Sequence, residues 1–396
     1  MFLIDILIYF VFALVMSNLA RQSASLSLHT GENRWDKYLC WFIAFFTLMC
    51  AIRWNVGSDC ISYARGFSQG IIREESTEYL WDFMVSTIYN SGAHWTIGMG
   101  LVAFIQMLFL IKATKNYSYI LIALPFVLFG GRYFQDMMGA MRQMTVAYGF
   151  LWASKFIVNR QLVYYVLFVF ISSFVHGSAV ILLPFYFIPN NLHLENRRVV
   201  LIIILVACCV VGQTPAYQGL IGYIESLTEF VGYENYAENV DDLLENYSKE
   251  QLSFGPMMLS YLLIPIFIVW YGKELRDKYE EKIPYFNLWY NLAYFYACAY
   301  FLVCNVSHIF IRPVMYFSVF QLVMASLLLY ELVSNYKIKR NIQLVTIIFC
   351  FVIFINAGWD IFKANNSPRF VANERFEMTT YKVYFMHPEQ RRIFKM

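Results

Sequence analysis

The sequence predicts an all-α, polytopic integral membrane protein with about eleven or twelve transmembrane helices. Three observations predict it. Of 396 residues, 59% are hydrophobic and 14% charged, with a mean hydropathy of +0.51; soluble domains run at about 45–50% apolar and about 25% charged. The apolar residues gather into repeated runs, and a bilayer core demands runs of about 17–25 residues. The runs are continuous, whereas a membrane barrel alternates polar and apolar residues over strands of about ten residues.

Apolar stretches fall at 2–20, 37–52, 97–111, 117–130, 142–158, 162–189, 198–213, 254–272, 285–304, 311–333 and 341–359. The first lacks a basic leader and a small-residue cleavage site, so it is expected to be a retained helix. The 162–189 stretch is long for one span and is interrupted by His176 and Gly177. Six connections carry the basic residues of short loops: Arg21, Arg34 and Lys37; Lys112 and Lys115; Lys155 and Arg160; Arg197 and Arg198; Lys273 to Lys282; and Lys337 to Arg340. By the bias of Lys and Arg towards cytoplasmic loops, all six face the cytoplasm together only if 162–189 crosses twice, or re-enters and returns. The double pass is the expectation. It places the segments 53–96, 131–141, 214–253 and 305–312 outside, together with the basic tail after 360. The chain then forms one membrane domain, 1–360, with external loops 53–96 and 214–253 and a short tail, 361–396. The segment Glu78 to Ser91 is amphipathic and is expected to lie in the membrane interface.

The net charge of +3 is too small to suggest a nucleic-acid partner. The eight cysteines show no metal-ligand spacing, and all but Cys60 lie in or beside apolar runs, where they act as small hydrophobes. No nucleotide-binding fingerprint is present.

Ionisable groups are costly at a membrane and mark functional sites by default. Four clusters qualify. Arg53, Asp59, Tyr63 and Arg65 surround a Gly57-Ser58 turn, which allows Arg53 and Asp59 to fold towards each other. Arg132 to Gln143 ends with Arg142 and Gln143 opening a span, where helix N–H groups favour an anion. His176 sits inside the motif F-V-H-G-S-A, and His308 and Arg312 are four residues apart, on one face of a helix. Guanidinium groups offer planar, bidentate donors to phosphate, so arginines converging on one external cavity suit a lipid-linked diphosphate. A carboxylate or imidazole nearby then accepts the proton of an incoming sugar hydroxyl. Each residue also has a plainer reading. Arg53, Arg132, Arg142 and Arg312 can anchor helix ends by snorkelling, His176 can be a satisfied core histidine beside a close helix contact, Asp59 can cap the turn or neutralise Arg53, and Asp136 can be solvated.

In order and context, these motifs resemble the EpsG family of exopolysaccharide proteins, related to Wzy-type O-antigen and capsule polymerases. The resemblance rests on R-W-N-V-G-S-D-C-I-S-Y (Arg53 to Tyr63), M-R-Q-M-T-V-A (Met141 to Ala147), F-V-H-G-S-A-V-I-L-L-P (Phe174 to Pro184) and R-P-V-M-Y-F (Arg312 to Phe317). Ser58 stands where the family pattern has Thr, and keeps the hydroxyl. The resemblance implies a glycosyltransferase of the GT-C class in the bacterial cytoplasmic membrane, with its active site on the external, periplasmic face. Such an enzyme takes undecaprenyl-diphosphate-linked oligosaccharide and joins repeat units for O-antigen, capsule or exopolysaccharide, without a cofactor. Its implied partners are membrane lipids and a chain-length regulator and flippase of the same pathway.

On this reading Arg53, Arg142 and Arg312 bind the diphosphate, with Tyr63, Arg65, Arg132 and Gln143 as further substrate contacts. Asp59 or His176 activates the hydroxyl, with His308 behind them. The alternatives are an O-antigen ligase using the same chemistry, and a flippase or transporter of the lipid-linked sugar. A transporter should show internal pseudo-repeats, and none is visible. A membrane O-acyltransferase is weaker still, because nothing indicates a route for an acyl donor.

Overall fold

The computed structural model describes residues 2–30, 35–54, 56–57, 59–72, 76–131, 133–214, 255–304, 308–336, 340–366 and 382–383. Each apolar stretch read from the sequence falls largely on helix, with turns inside 162–189 and 311–333. The elements are α1 (Phe2–Thr30), α2 (Lys37–Ile52), α3 (Cys60–Gln69), α4 (Tyr79–Asn90), α5 (Trp95–Thr114), α6 (Ser118–Gly130), α7 (Tyr133–Gly139), α8 (Met141–Val158), α9 (Leu162–Ser173), α10 (Arg198–Val211), α11 (Pro256–Tyr279), α12 (Phe286–Val303), α13 (His308–Met315), α14 (Ser318–Ser334) and α15 (Arg340–Asn366). Two 3₁₀ segments, Gly177–Phe187 and Leu194–Arg197, join α9 to α10. Two-residue strands, Arg53–Trp54 and Lys382–Val383, pair antiparallel, so the chain is all-α apart from one minimal ladder among the described residues. α15 runs past the tail boundary expected at 360.

α8 and α14 are buried on nearly every side, as expected of helices that are apolar all round. α6 and α5 pack on them, with α1 and α2 outside. α1, α5, α9, α10 and α15 turn large apolar side chains outwards, which is the face a bilayer covers. Among the described residues, three helices, Ile6–Ser27, Trp95–Thr114 and Met258–Tyr279, are long and apolar enough to cross a membrane on their own, and six other apolar helical segments are shorter. The 311–333 stretch is not one helix. It breaks at Tyr316 and Phe317, where the Phe317 N–H donates to Val314 O and the buried Tyr316 hydroxyl bonds Ser178 Oγ at 2.7 Å.

The 162–189 stretch is a hairpin. α9 runs out, residues 174–176 turn, and the 3₁₀ segment runs back along α9. Tyr165 hydroxyl donates to Leu182 O at 2.6 Å. Both of its ends are tied together: Arg160 donates to Tyr186 O and Ile188 O (3.1 and 2.9 Å), and Asn190 to Val158 O (2.7 Å).

The basic connections gather at this same end of the bundle. Lys115 lies over the Trp35 ring, and Lys112 and Lys155 both lie over Trp152. Arg276 pairs with the fully buried Glu195 at 2.6 Å, and Lys278 with Glu331 at 2.7 Å. The out-and-back hairpin therefore keeps Lys155, Arg160, Arg197 and Lys278 together, as the charge pattern requires. Gln161→Cys and Asn191→Cys, in a background with the native cysteines replaced, should react with an impermeant thiol reagent from one membrane side, and Gln69→Cys from the other. Labelling of positions 161 and 191 from opposite sides refutes the hairpin.

Candidate functional site

Several sequence motifs meet at the end opposite the basic loops. The Arg53 motif builds the wall. α2 ends at Ile52, where Arg53 leaves the helical region. Arg53 is fully buried. Its guanidinium donates to Cys50 O at 2.6 Å and Val56 O at 3.2 Å, and contacts Met141 Sδ at 3.2 Å. It thereby caps the open carbonyls of α2 and pins the following loop to the start of α8. The expectation that Arg53 contacts the anion is corrected: its donors point into the protein. Asp59 is not its partner either. Asp59 stands just before α3 without capping it, one helical turn from Tyr63, on which its charge acts.

Gly57 presses this loop onto α7. Its φ is +93°, and a Cβ there meets Met138 C and O and Gly139 N at 2.6–2.7 Å. Both the left-handed backbone and the close approach demand glycine. α3 then buries Cys60, Ala64 and Phe67, exposes Arg65, and carries Tyr63 to the edge of the Trp81 ring, 5.4 Å between centroids.

At the centre is Glu78, the residue before α4. Oε2 pairs with Arg142 Nη1. Oε1 bonds His176 Nδ1 at 2.7 Å and accepts from Gly177 N–H at 3.3 Å. Burial pushes the Glu78 carboxyl up, but the bond to His176, the charge of Arg142 and the Gly177 N–H outweigh it and hold it below the usual carboxylate range. Arg142, from the first turn of α8, acts by its charge on the Tyr63 hydroxyl and lies over Trp81, 5.7 Å from the ring centroid. The turn that presents His176 is held from below: the first N–H groups of α4, on Leu80 and Trp81, both donate to Phe174 O (2.9 and 3.3 Å). Helix-start donors are thus satisfied by the hairpin.

Two polar atoms in this cluster have no partner among the described residues: His176 Nε2 and Arg142 Nε. An unpaired buried polar atom costs about 1–3 kcal/mol, so each is open to a bond from water or a ligand. The charge of Arg312, on α13, reaches His176. Gln143 does not face a ligand with its amide nitrogen; it donates to Arg312 O and so ties α8 to α13. The structure thus brings together Tyr63, Arg142, His176 and Arg312, with Asp59 beside Tyr63. It leaves Arg65 exposed and turns Arg53 inwards. Arg132, the His308 side chain and residues 215–253 of the 214–253 loop lie outside the described residues. Asp136, expected to be solvated, is half-buried, and its charge acts on Tyr133, Tyr148 and Tyr296.

Sequence reasoning missed Glu78. It closes a run of acidic and polar residues, E-E-S-T-E, and nothing local separates it from Glu74 or Glu75. The one usable signal was its place immediately before an amphipathic segment, where an ion is held between surface and protein. Among the described residues, no three His, Cys, Asp or Glu side chains gather closely enough to hold a metal.

Two stability changes follow. Glu78→Ala strands Arg142 and should cost about 3 kcal/mol, the loss for breaking a largely buried pair, with Glu78→Gln costing less. Gly57→Ala should cost at least about 1–2 kcal/mol from its backbone conformation alone. Both are read as lower thermal midpoints of detergent-purified protein.

A search of curated proteins and of solved structures finds no match to this chain. The model of the EpsG family matches residues 36–368, a range that takes in every helix from α2 to α15 and all members of the cluster around Glu78. On that match the chain belongs to the EpsG family, whose members are Wzy-like polysaccharide polymerases.

Proposed function

We propose that this protein is a membrane glycosyltransferase that polymerises lipid-linked oligosaccharide, moving a growing glycan from undecaprenyl diphosphate onto a sugar hydroxyl of another lipid-linked repeat unit at the outer side of the bacterial cytoplasmic membrane. The observation that carries it is the Glu78–His176 pair with a free imidazole nitrogen, with Arg142 on the same carboxylate and the charge of Arg312 reaching the imidazole.

Glu78 fixes the imidazole with the Nδ1 proton directed at its carboxylate, so that Nε2 offers a lone pair. In the proposed step, the acceptor hydroxyl oxygen attacks the anomeric carbon of the donor sugar. Its proton passes to His176 Nε2. The bond from the anomeric carbon to the diphosphate oxygen breaks, and the electron pair leaves on the diphosphate. Arg142, through its unpaired Nε, and Arg312 stabilise that charge as it develops. Trp81 and Tyr63 supply an aromatic wall beside the arginine, the kind of surface on which a sugar ring stacks. Arg142 is held by Glu78 before any ligand arrives, so the site is charged and oriented in advance.

The test is complementation of a deletion strain. His176→Ala should reduce polymerisation by about 10²–10⁴-fold, the usual worth of a general base, and Arg312→Ala should reduce it too. Each should leave single repeat units on the lipid carrier. Normal chain lengths from either variant at equal expression overturn the assignment. Accumulation of long polymer still on lipid means that the protein is a ligase.

A further inference from the structure

An apolar face of α9 leads, through the rings of Phe174 and Tyr79, to the residue beside Glu78. On α9, Val163, Leu167 and Phe170 recur at helical spacing and are 76%, 51% and 58% exposed. They lie on one face of a helix that also exposes Leu162, Tyr164, Val166 and Ile171, and Phe174 continues that face. The ring of Phe174 meets Phe170 at 4.8 Å and Tyr79 at 5.8 Å between centroids. Tyr79 is 64% exposed and adjoins Glu78 in sequence. From Val163 to Phe174 the stripe covers about 16 Å at 1.5 Å per residue. Exposed apolar stripes also run along α1 and α10, and a bilayer explains those. The α9 stripe differs in where it ends. Its last two rings flank the backbone clamp of Phe174 O to Leu80 and Trp81, one residue from Glu78, with Arg142 and His176 behind it.

A ligand with a long apolar tail and a compact anionic head matches this arrangement in both parts. The tail lies along aliphatic and aromatic side chains, and the head reaches the Arg142 guanidinium, held by Glu78, at the end. We infer that the seam Val163–Leu167–Phe170–Phe174–Tyr79 is the binding track for the isoprenoid chain of the lipid-linked donor, which approaches sideways from the bilayer. The inference rests on the proposed polymerase reading for the identity of the head group, and on the seam alone for the tail. The aromatic rings set where along the chain the head stops.

The experiment places the photoreactive residue p-benzoylphenylalanine at Phe170 and, separately, at Ile203, an exposed apolar position on α10. The full chain is reconstituted in phosphatidylethanolamine–phosphatidylglycerol vesicles and irradiated with tritiated undecaprenyl diphosphate. Labelling at position 170 above that at 203, suppressed by excess unlabelled undecaprenyl diphosphate but not by excess phosphatidylglycerol, supports the track. Equal labelling at the two positions, or suppression by phosphatidylglycerol alone, overturns it and makes the seam an ordinary lipid face. Kinetics add a second readout. Phe170→Leu with Tyr79→Leu keeps the surface apolar and should raise KM for a long-chain donor about fivefold, the worth of one or two aromatic contacts. KM for a ten-carbon prenyl donor and kcat for both should hold. An equal rise for both donors overturns the track. Selective labelling by a protein that polymerises nothing removes the polymerase reading and leaves the track standing.

Discussion

One carboxylate organises the site. Glu78 is bonded at once by a guanidinium from α8, an imidazole from the hairpin turn and a backbone N–H that follows it. Two segments distant in sequence therefore converge on a single anion in a third. Without it, Arg142 and His176 face each other as two cationic or potentially cationic groups with little solvent. With it, the cluster carries a fixed charge pattern, because the carboxyl is held below its usual range. Its ionic tie is present at neutral pH and is lost only on acidification through that lowered value.

The surrounding architecture serves this convergence. The hairpin turns at Val175 and His176 because α9 ends there and its partner strand of 3₁₀ helix returns to the basic end. α4 begins where the turn offers it a carbonyl. Arg53 and Gly57 have a supporting role: one seals the end of α2 and the other seats the loop on α7, so that α3 can hold Tyr63 against Trp81 and Arg142.

Much of the fold was legible in the sequence. The apolar runs fixed the helices, and the balance of Lys and Arg demanded that 162–189 turn back, which the bonds from Arg160 and Asn190 show it doing. The break at Tyr316 was not legible, because the residues on either side are equally apolar and the break is stabilised by a distant partner, Ser178. Of the cluster around Glu78, the cations were legible. Arg142, His176 and Arg312 stand out because charge within apolar sequence is rare. Glu78 was hidden among other acids, since a carboxylate in a polar loop has no local mark of the partners it will find. Arg53 misled for the opposite reason. A charged residue at a helix mouth suggests a ligand, but the free carbonyls at the end of a helix are a ligand of their own.

The short legs of the hairpin set the depth of the chemistry. α9 has twelve residues, which is about 18 Å of rise, while a bilayer's hydrocarbon is about 30 Å thick. α5, with twenty residues, is long enough for the full distance. With the basic loops level with one surface, the turn carrying His176 stops well below the other, and α4 climbs from it towards the start of α5. On the proposed function, a headgroup anchored in the same bilayer reaches His176 by sliding within it.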